Sequence, residues 1–204
     1  LGDVYKRQIP NGFIQMISPI LILCFAWTLC GLCRDDGLQV GEFVRGVMAN
    51  TGSLAKFLPA VIFIVACFIG FATGTSWGTI GIMVPLVCAV FDWYDQSTLL
   101  SIGLAASCAG GVCGDHLSPI SDTTIMASAG AHCSHVNHVS TQLPYAITAA
   151  SCSAACYVIT GLTQMFLGSS ASLWTSLILL GVAIVLELVV LNILRVKLGK
   201  KTKA

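Results

Sequence analysis

Charge is what this sequence has least of. Only 9% of its 204 residues are Asp, Glu, Lys or Arg, against about 25% in a typical soluble chain. So few charges cannot cover a water-facing surface, and the composition excludes an ordinary soluble domain. Hydrophobic residues make up 56% and mean hydropathy is +0.88, so the solvent that suits this chain is lipid. A net charge of +1 excludes a nucleic-acid binder that works through a basic surface. Membrane lipid is the expected partner, and nucleic acid is not. The N-terminal residues 1–8 lack an apolar core followed by a small-residue cleavage site. They read as a non-native or scar segment.

Ten cysteines are present, a number that would suggest a disulfide scaffold in a small secreted protein. Here nearly all lie inside apolar runs, where a free thiol packs as a small hydrophobe. No disulfide is expected.

Residues 8–33, 57–91 and 96–114 carry no charge, and 123–186 carry none apart from three histidines. A membrane crossing needs about 20 apolar residues. The pattern predicts an all-α polytopic membrane protein with helices near 13–33, 56–91, 97–130, 141–166 and 172–195. Polar connections fall at 34–55, 92–96, 131–140 and 167–171. An unbroken helix over 57–91 would run about 52 Å, far beyond a hydrocarbon core of about 30 Å. Both long segments must therefore break, tilt steeply or turn back, and each carries a break signal. One is Thr73-Gly74-Thr75-Ser76-Trp77-Gly78-Thr79. The other is Gly110-Gly111, then Gly114-Asp115-His116-Leu117-Ser118-Pro119.

Five of the ten basic residues lie in the last ten positions: Arg195, Lys197, Lys200, Lys201 and Lys203. The positive-inside rule places this tail, 196–204, in the cytoplasm. If each long segment counts as one crossing, the 34–55 and 131–140 loops are cytoplasmic too. Arg34, Arg45 and Lys56 agree with that side, and the acidic turn at Asp92 and Asp95 falls outside. A re-entrant hairpin would change this parity.

Two acids lie at membrane depth, Asp115 and Asp122. An ionised carboxylate there costs at least about 2.5–3.5 kcal/mol, which packing alone does not justify. On a continuous helix the two would share a face, with Ser118 between them. Pro119 has no N–H, so the Asp115 carbonyl would lose its helical partner and stand bare. With Ser118, Ser121, Thr123 and Thr124 close by, that makes an oxygen-rich niche of the kind that suits a hard monovalent cation. The alternative is a re-entrant polar loop between two shorter helices.

Thr73, Thr75, Ser76 and Thr79 supply hydroxyls for a second half-site, and Trp77 either walls its cavity or fills the core. Gly70, Gly74 and Gly78 equally form a small-xxx-small ladder suited to close helix packing. His132, His135 and His138 would sit in a loop entering the next helix, open to pH sensing or, on a minority reading, to metal binding. His116 adjoins Asp115 and could pass protons or tune that carboxylate. Glu187, eight residues before Arg195, is expected to reach toward the membrane interface.

The run Gly114-Asp115-His116-Leu117-Ser118-Pro119-Ile120-Ser121-Asp122-Thr123-Thr124 resembles the signature of the NhaC-type Na+/H+ antiporter family. His135-Val136-Asn137-His138-Val139, Thr141-Gln142-Leu143-Pro144-Tyr145-Ala146, and the Thr73–Thr79 stretch with Met83-Val84-Pro85 are similar as well. The resemblance implies the C-terminal half of an inner-membrane secondary antiporter. Its fold would be an ion-transporter-type bundle with discontinuous helices, one repeat of an inverted-repeat fold, here over 9–195. Family members exchange H+ or Na+ against Na+, carboxylates or amino acids. Leu117 departs from the family pattern, where a small or polar residue is common.

The expected function is Na+ and/or H+ antiport by alternating access, with no enzymatic activity and no cofactor or metal beyond the transported Na+. The cation- and proton-binding candidates are Asp115, Asp122, Ser118, Ser121, Thr123 and His116. The cavity candidates are Thr73, Thr75, Ser76, Trp77 and Thr79. The same fold could exchange a small organic solute, and a homodimer is an allowed assembly. Two rivals belong to other classes. An intramembrane aspartyl protease would pair Asp95 with Asp115, but Val112 stands where its motif needs glycine. An uncoupled channel or structural subunit has no dedicated motif here.

Overall fold

The computed structural model describes residues 2–32, 37–39, 42–43, 46, 52–91, 96–167 and 173–201. The architecture is helical, with no strand among the described residues. Helix α1 covers Gly2–Leu32. A 3-10 turn, Gly52–Phe57, leads into α2 (Leu58–Thr73) and α3 (Ser76–Val90). Then come α4 (Ser97–Leu117), α5 (Asp122–Gly130), α6 (His135–Leu167) and α7 (Leu173–Lys201). Among the described residues, four stretches are long and apolar enough to cross a membrane: Ala55–Thr73, Ser97–Leu117, His135–Phe166 and Leu177–Arg195. Helix α3 is apolar but has only 15 residues. Arg34, Arg45, the acidic turn 92–95 and the connection 168–171 lie outside the described residues.

Helix ends differ from expectation in three places. Helix α1 starts at Gly2 instead of near 13. Helix α6 starts at His135, inside the expected 131–140 connection, because His138 N–H bonds to the Ser134 carbonyl at 2.9 Å and winds the polar residues into a first turn. Helix α7 continues past Arg195 to Lys201, in keeping with the favourable placement of cations at a helix C-terminus.

Each of the two long apolar segments is divided into two helices. Helix α2 ends at Gly74, whose φ of 65° is left-handed and whose N–H reaches the Gly70 carbonyl at 2.9 Å. Thr75 is extended and caps α3, its hydroxyl accepting the Gly78 N–H at 3.4 Å. Helix α4 ends at Leu117, just ahead of Pro119. Ser118 and Ser121 are extended, and Ser121 caps α5 through Thr124 N–H.

Helices α2 and α4 meet backbone to backbone along small residues. A Cβ at Gly70 would fall 2.7 Å from the Gly111 carbonyl oxygen. One at Gly110 would fall 2.7 Å from the Ala66 Cβ, and one at Gly114 would strike the Cys67 carbonyl oxygen. The expected ladder therefore splits by role. Gly70 gives close packing, Gly74 supplies the left-handed turn, and Gly78 donates to the Thr75 cap. The apolar core lies between α2, α3 and α4, around Phe63, Ala66, Met83, Val87, Phe91 and Ala106. Tyr157 of α6 joins it, with its ring 5.1 Å from that of Phe63. Phe68 and Phe166 point outward, as lipid-facing side chains do. The eight cysteines whose side chains are described are all free.

Candidate functional site

Asp115 sits in the last turn of α4 and is only 2% exposed. Its Oδ1 accepts the Ser121 hydroxyl at 2.5 Å. Ser121 Oγ has one hydrogen and gives it to Asp115. In its 2.6 Å contact with Thr123 Oγ1, Thr123 is therefore the donor. The sequence Thr123 to Ser121 to Asp115 forms a hydroxyl relay that runs from an exposed residue to a buried carboxylate. Among the described residues the partner of this carboxylate is a hydroxyl and no base of the chain pairs with it.

The expected bare carbonyl at Asp115 is not found. Its oxygen accepts Ser118 N–H at 3.1 Å, because the chain tightens into a 3-10-like turn before Pro119 instead of running through it. Neighbouring carbonyls are accounted for as well. The His116 carbonyl accepts Gln142 Nε2 at 3.1 Å, and the Ser118 carbonyl accepts Ser121 N–H at 3.4 Å. The Pro119 carbonyl meets His135 Nε2 at 2.7 Å. The oxygen-rich niche is thus built from side chains. Ser118, fully buried, turns its hydroxyl to Ile120 N–H at 3.3 Å.

The break between α4 and α5 also overturns the shared face of the two acids. Asp122 opens α5, is exposed, and accepts its neighbour's amide, Thr123 N–H, at 2.8 Å. His116 is exposed as well, and its Nδ1 meets the Val112 carbonyl at 3.0 Å in place of Asp115.

The first break lies against the second. A Cβ on Gly74 would come within 3.0 Å of the Ile120 backbone, and one on Gly111 would meet Thr79 Cγ2 at 3.3 Å. Thr79 is fully buried; its hydroxyl donates to the Thr75 carbonyl at 2.9 Å and lies 3.5 Å from Thr73 Oγ1. Ser76 is half-buried at the start of α3. Trp77 is 77% exposed, so within this chain it neither walls a cavity nor fills the core.

Sequence reasoning missed the clamp from α6. His135 bridges the Pro119 carbonyl and Ser128 Oγ, the latter at 3.1 Å, tying the break to α5. Gln142 ties the same break to α4. The available signal was His135 and Gln142 seven residues apart, and so on one face of a helix, just ahead of its apolar part. No group of three or more His, Cys, Asp or Glu that could hold a metal occurs among the described residues, so the three histidines are not gathered. Glu187 lines a cavity between α4, α6 and α7.

Helices long and apolar enough to cross a membrane thus surround a buried carboxylate at the junction of two pairs of helix ends, as in a membrane protein. The model of the Na+/H+ antiporter family matches residues 3–162, and the chain belongs to that family. An uncharacterized protein of Haemophilus influenzae is 41% identical over 176 residues, covering 86% of this chain and 33% of the relative. An uncharacterized Na(+)/H(+) antiporter of the same organism is 33% identical over 138 residues, 64% of this chain and 29% of its own. The malate-2H(+)/Na(+)-lactate antiporter of Bacillus subtilis is 30% identical over 171 residues, 82% of this chain and 34% of its own. The chain therefore spans about a third of the length of these relatives, less than the half that the resemblance implied. No solved structure matches it significantly.

Proposed function

We propose that this segment carries the cation- and proton-exchanging carboxylate of an NhaC-type Na+/H+ antiporter. Asp115 is the exchanging group, and Ser121, Thr123 and Ser118 are its oxygen partners. The observation that carries the reading is a carboxylate 2% exposed, at a helix break, joined to the exterior by two hydroxyls. A lone carboxylate in a low-dielectric site must hold a proton or a cation to stay neutral. It cannot hold both, and that exclusion couples the two flows. Alternating access would then expose the site to each side in turn, in an inverted-repeat bundle whose discontinuous helices meet at these two breaks. The setting would be a bacterial inner membrane, with the chain multi-pass and its C-terminus cytoplasmic. Residues Thr73, Thr75, Ser76 and Thr79 form the adjoining wall.

A second reading, exchange of an organic solute against Na+ or H+, is favoured by one observation: a relative 30% identical is named for malate and lactate. Both readings use the same carboxylate. The test is Asp115→Asn in the intact protein carrying this segment, reconstituted in liposomes with a pH-sensitive dye inside. Na+ added outside should shift internal pH in the wild type and not in the variant, with membrane insertion unchanged. A normal Na+ response in the variant removes Asp115 from the mechanism. A response only to added carboxylate selects the second reading.

A further inference from the structure

We propose a second cation site, centred on Glu187 and separate from the Asp115 break, at which Na+ and H+ compete for one carboxylate. Glu187 lies in the apolar stretch Leu177–Arg195, ten residues from one end and eight from the other. At 1.5 Å per residue that is about 15 and 12 Å of helix, close to the middle of a hydrocarbon core of about 30 Å. It is half-buried and faces a cavity of about 260 Å³ between α4, α6 and α7. The polar wall is Cys152, Ser153, Cys156, Tyr157 and Thr160, all from α6.

The charge inventory decides the ligand. No Lys, Arg or His is among the described residues that line this cavity. Thiols and hydroxyls can donate hydrogen bonds, but they cannot neutralise a carboxylate at mid-membrane. The missing partner must be a cation or a proton. Oxygen is available for a hard monovalent ion. Besides Glu187, the wall offers Ser153, Tyr157 and Thr160 oxygens, and Thr160 spends its only proton on the Cys156 carbonyl at 2.8 Å, leaving its lone pairs free to ligate. A water takes about 30 Å³, so the space admits an ion with several waters. A second cavity, about 520 Å³, shares Ala109 and Ser153 with the first and continues along α4 to His116, beside Asp115. The two cavities thus share part of one wall. The inference does not rest on the role given to Asp115.

An apolar carbodiimide tests it. Such a reagent modifies protonated carboxyl groups within membranes. The carboxyl O–H adds across a C=N bond, and the acyl group then migrates to nitrogen, leaving a stable N-acylurea with nothing released. The intact protein in liposomes is treated at acid pH in choline chloride or in NaCl, and the peptide carrying Glu187 is quantified by mass spectrometry. Glu187 should be labelled in choline. Labelling should fall about tenfold when Na+ is about ten times its dissociation constant. Labelling and protection should persist in Asp115→Asn, even though that variant is expected to lose exchange, which keeps the two assignments apart. The main comparison uses the wild type, so it does not depend on any variant folding. An unlabelled Glu187 at acid pH, or labelling indifferent to Na+, overturns the site. So does Na+ protection that disappears in a correctly inserted Asp115→Asn protein.

Discussion

Adding one methyl group at Gly114 should damage this fold more than larger changes elsewhere. A Cβ there would strike the Cys67 carbonyl oxygen and lie 2.7 Å from the Phe71 nitrogen. Both are backbone atoms of α2, so no side chain can swing aside. The helices must part, by roughly 1 Å if ordinary contact is to be restored. A gap of that size forfeits a quarter to a half of each dispersion contact across the interface, at about 0.1–0.2 kcal/mol per atom pair. Overpacking itself costs about 1–3 kcal/mol. Alanine returns up to about 1 kcal/mol of helix propensity. The balance is a loss of up to about 3 kcal/mol, or a melting point lower by up to roughly 6–12 °C for a chain of this size. Gly81→Ala is the matched control. It lies within α3 with nothing within 4 Å of its added Cβ, and it should be neutral or stabilising by up to about 1 kcal/mol. Thermal unfolding of both variants in one detergent decides the matter. If Gly114→Ala melts within a degree or two of Gly81→Ala, the backbone contact between α2 and α4 is not as described.

Three further variants probe the breaks. Ser121→Ala removes the hydroxyl that holds Asp115 and the cap of α5, together about 2–4 kcal/mol, and should slow Na+-driven pH change in liposomes by tenfold or more. His135→Ala strips the Pro119 carbonyl and Ser128 of a shared partner, and should speed hydrogen exchange across 118–128 more than elsewhere. Thr79→Val keeps the buried shape but loses the bond to the Thr75 carbonyl, and should lower the melting point by the equivalent of about 1 kcal/mol.

The two breaks are legible in the sequence because glycine and proline act through local sterics. Gly74 needs no partner to take a left-handed φ, and Pro119 needs none to lack an N–H. What happens to the groups so released depends on residues distant in sequence. The Pro119 carbonyl finds His135 sixteen residues on, and the His116 carbonyl finds Gln142 twenty-six residues on. Local patterns do not encode such pairings. The Asp115 carbonyl differs, because its partner, Ser118 N–H, is only three residues away; what the sequence leaves unmarked there is the tightening of the last turn ahead of Pro119. The orientation of Glu187 is hidden as well. A helix that is apolar all round gives no periodic signal of which side meets its neighbours.

Asp115 and Asp122 are chemically alike, and in sequence they carry equal weight; the structure makes them unequal. At Asp115 the charge is buried and bound by a hydroxyl, so replacing it with an amide removes the only ionisable group of the niche. At Asp122 the charge is exposed in the first turn of α5, where it interacts with one adjacent amide and the helix dipole. That placement is worth about 0.3–1 kcal/mol, and Asn retains an oxygen to accept the same amide. Asp122→Asn should therefore leave Na+-driven exchange within about fivefold of wild type, since about 1.4 kcal/mol corresponds to a factor of ten. Asp115→Asn should abolish it. Parallel liposome assays of the two variants, normalised to inserted protein, separate the cases. Equal and complete loss in both would mean that Asp122 turns inward in the assembled protein and joins the Asp115 niche. The exposure of α5 seen here would then belong to a face that the rest of the protein covers.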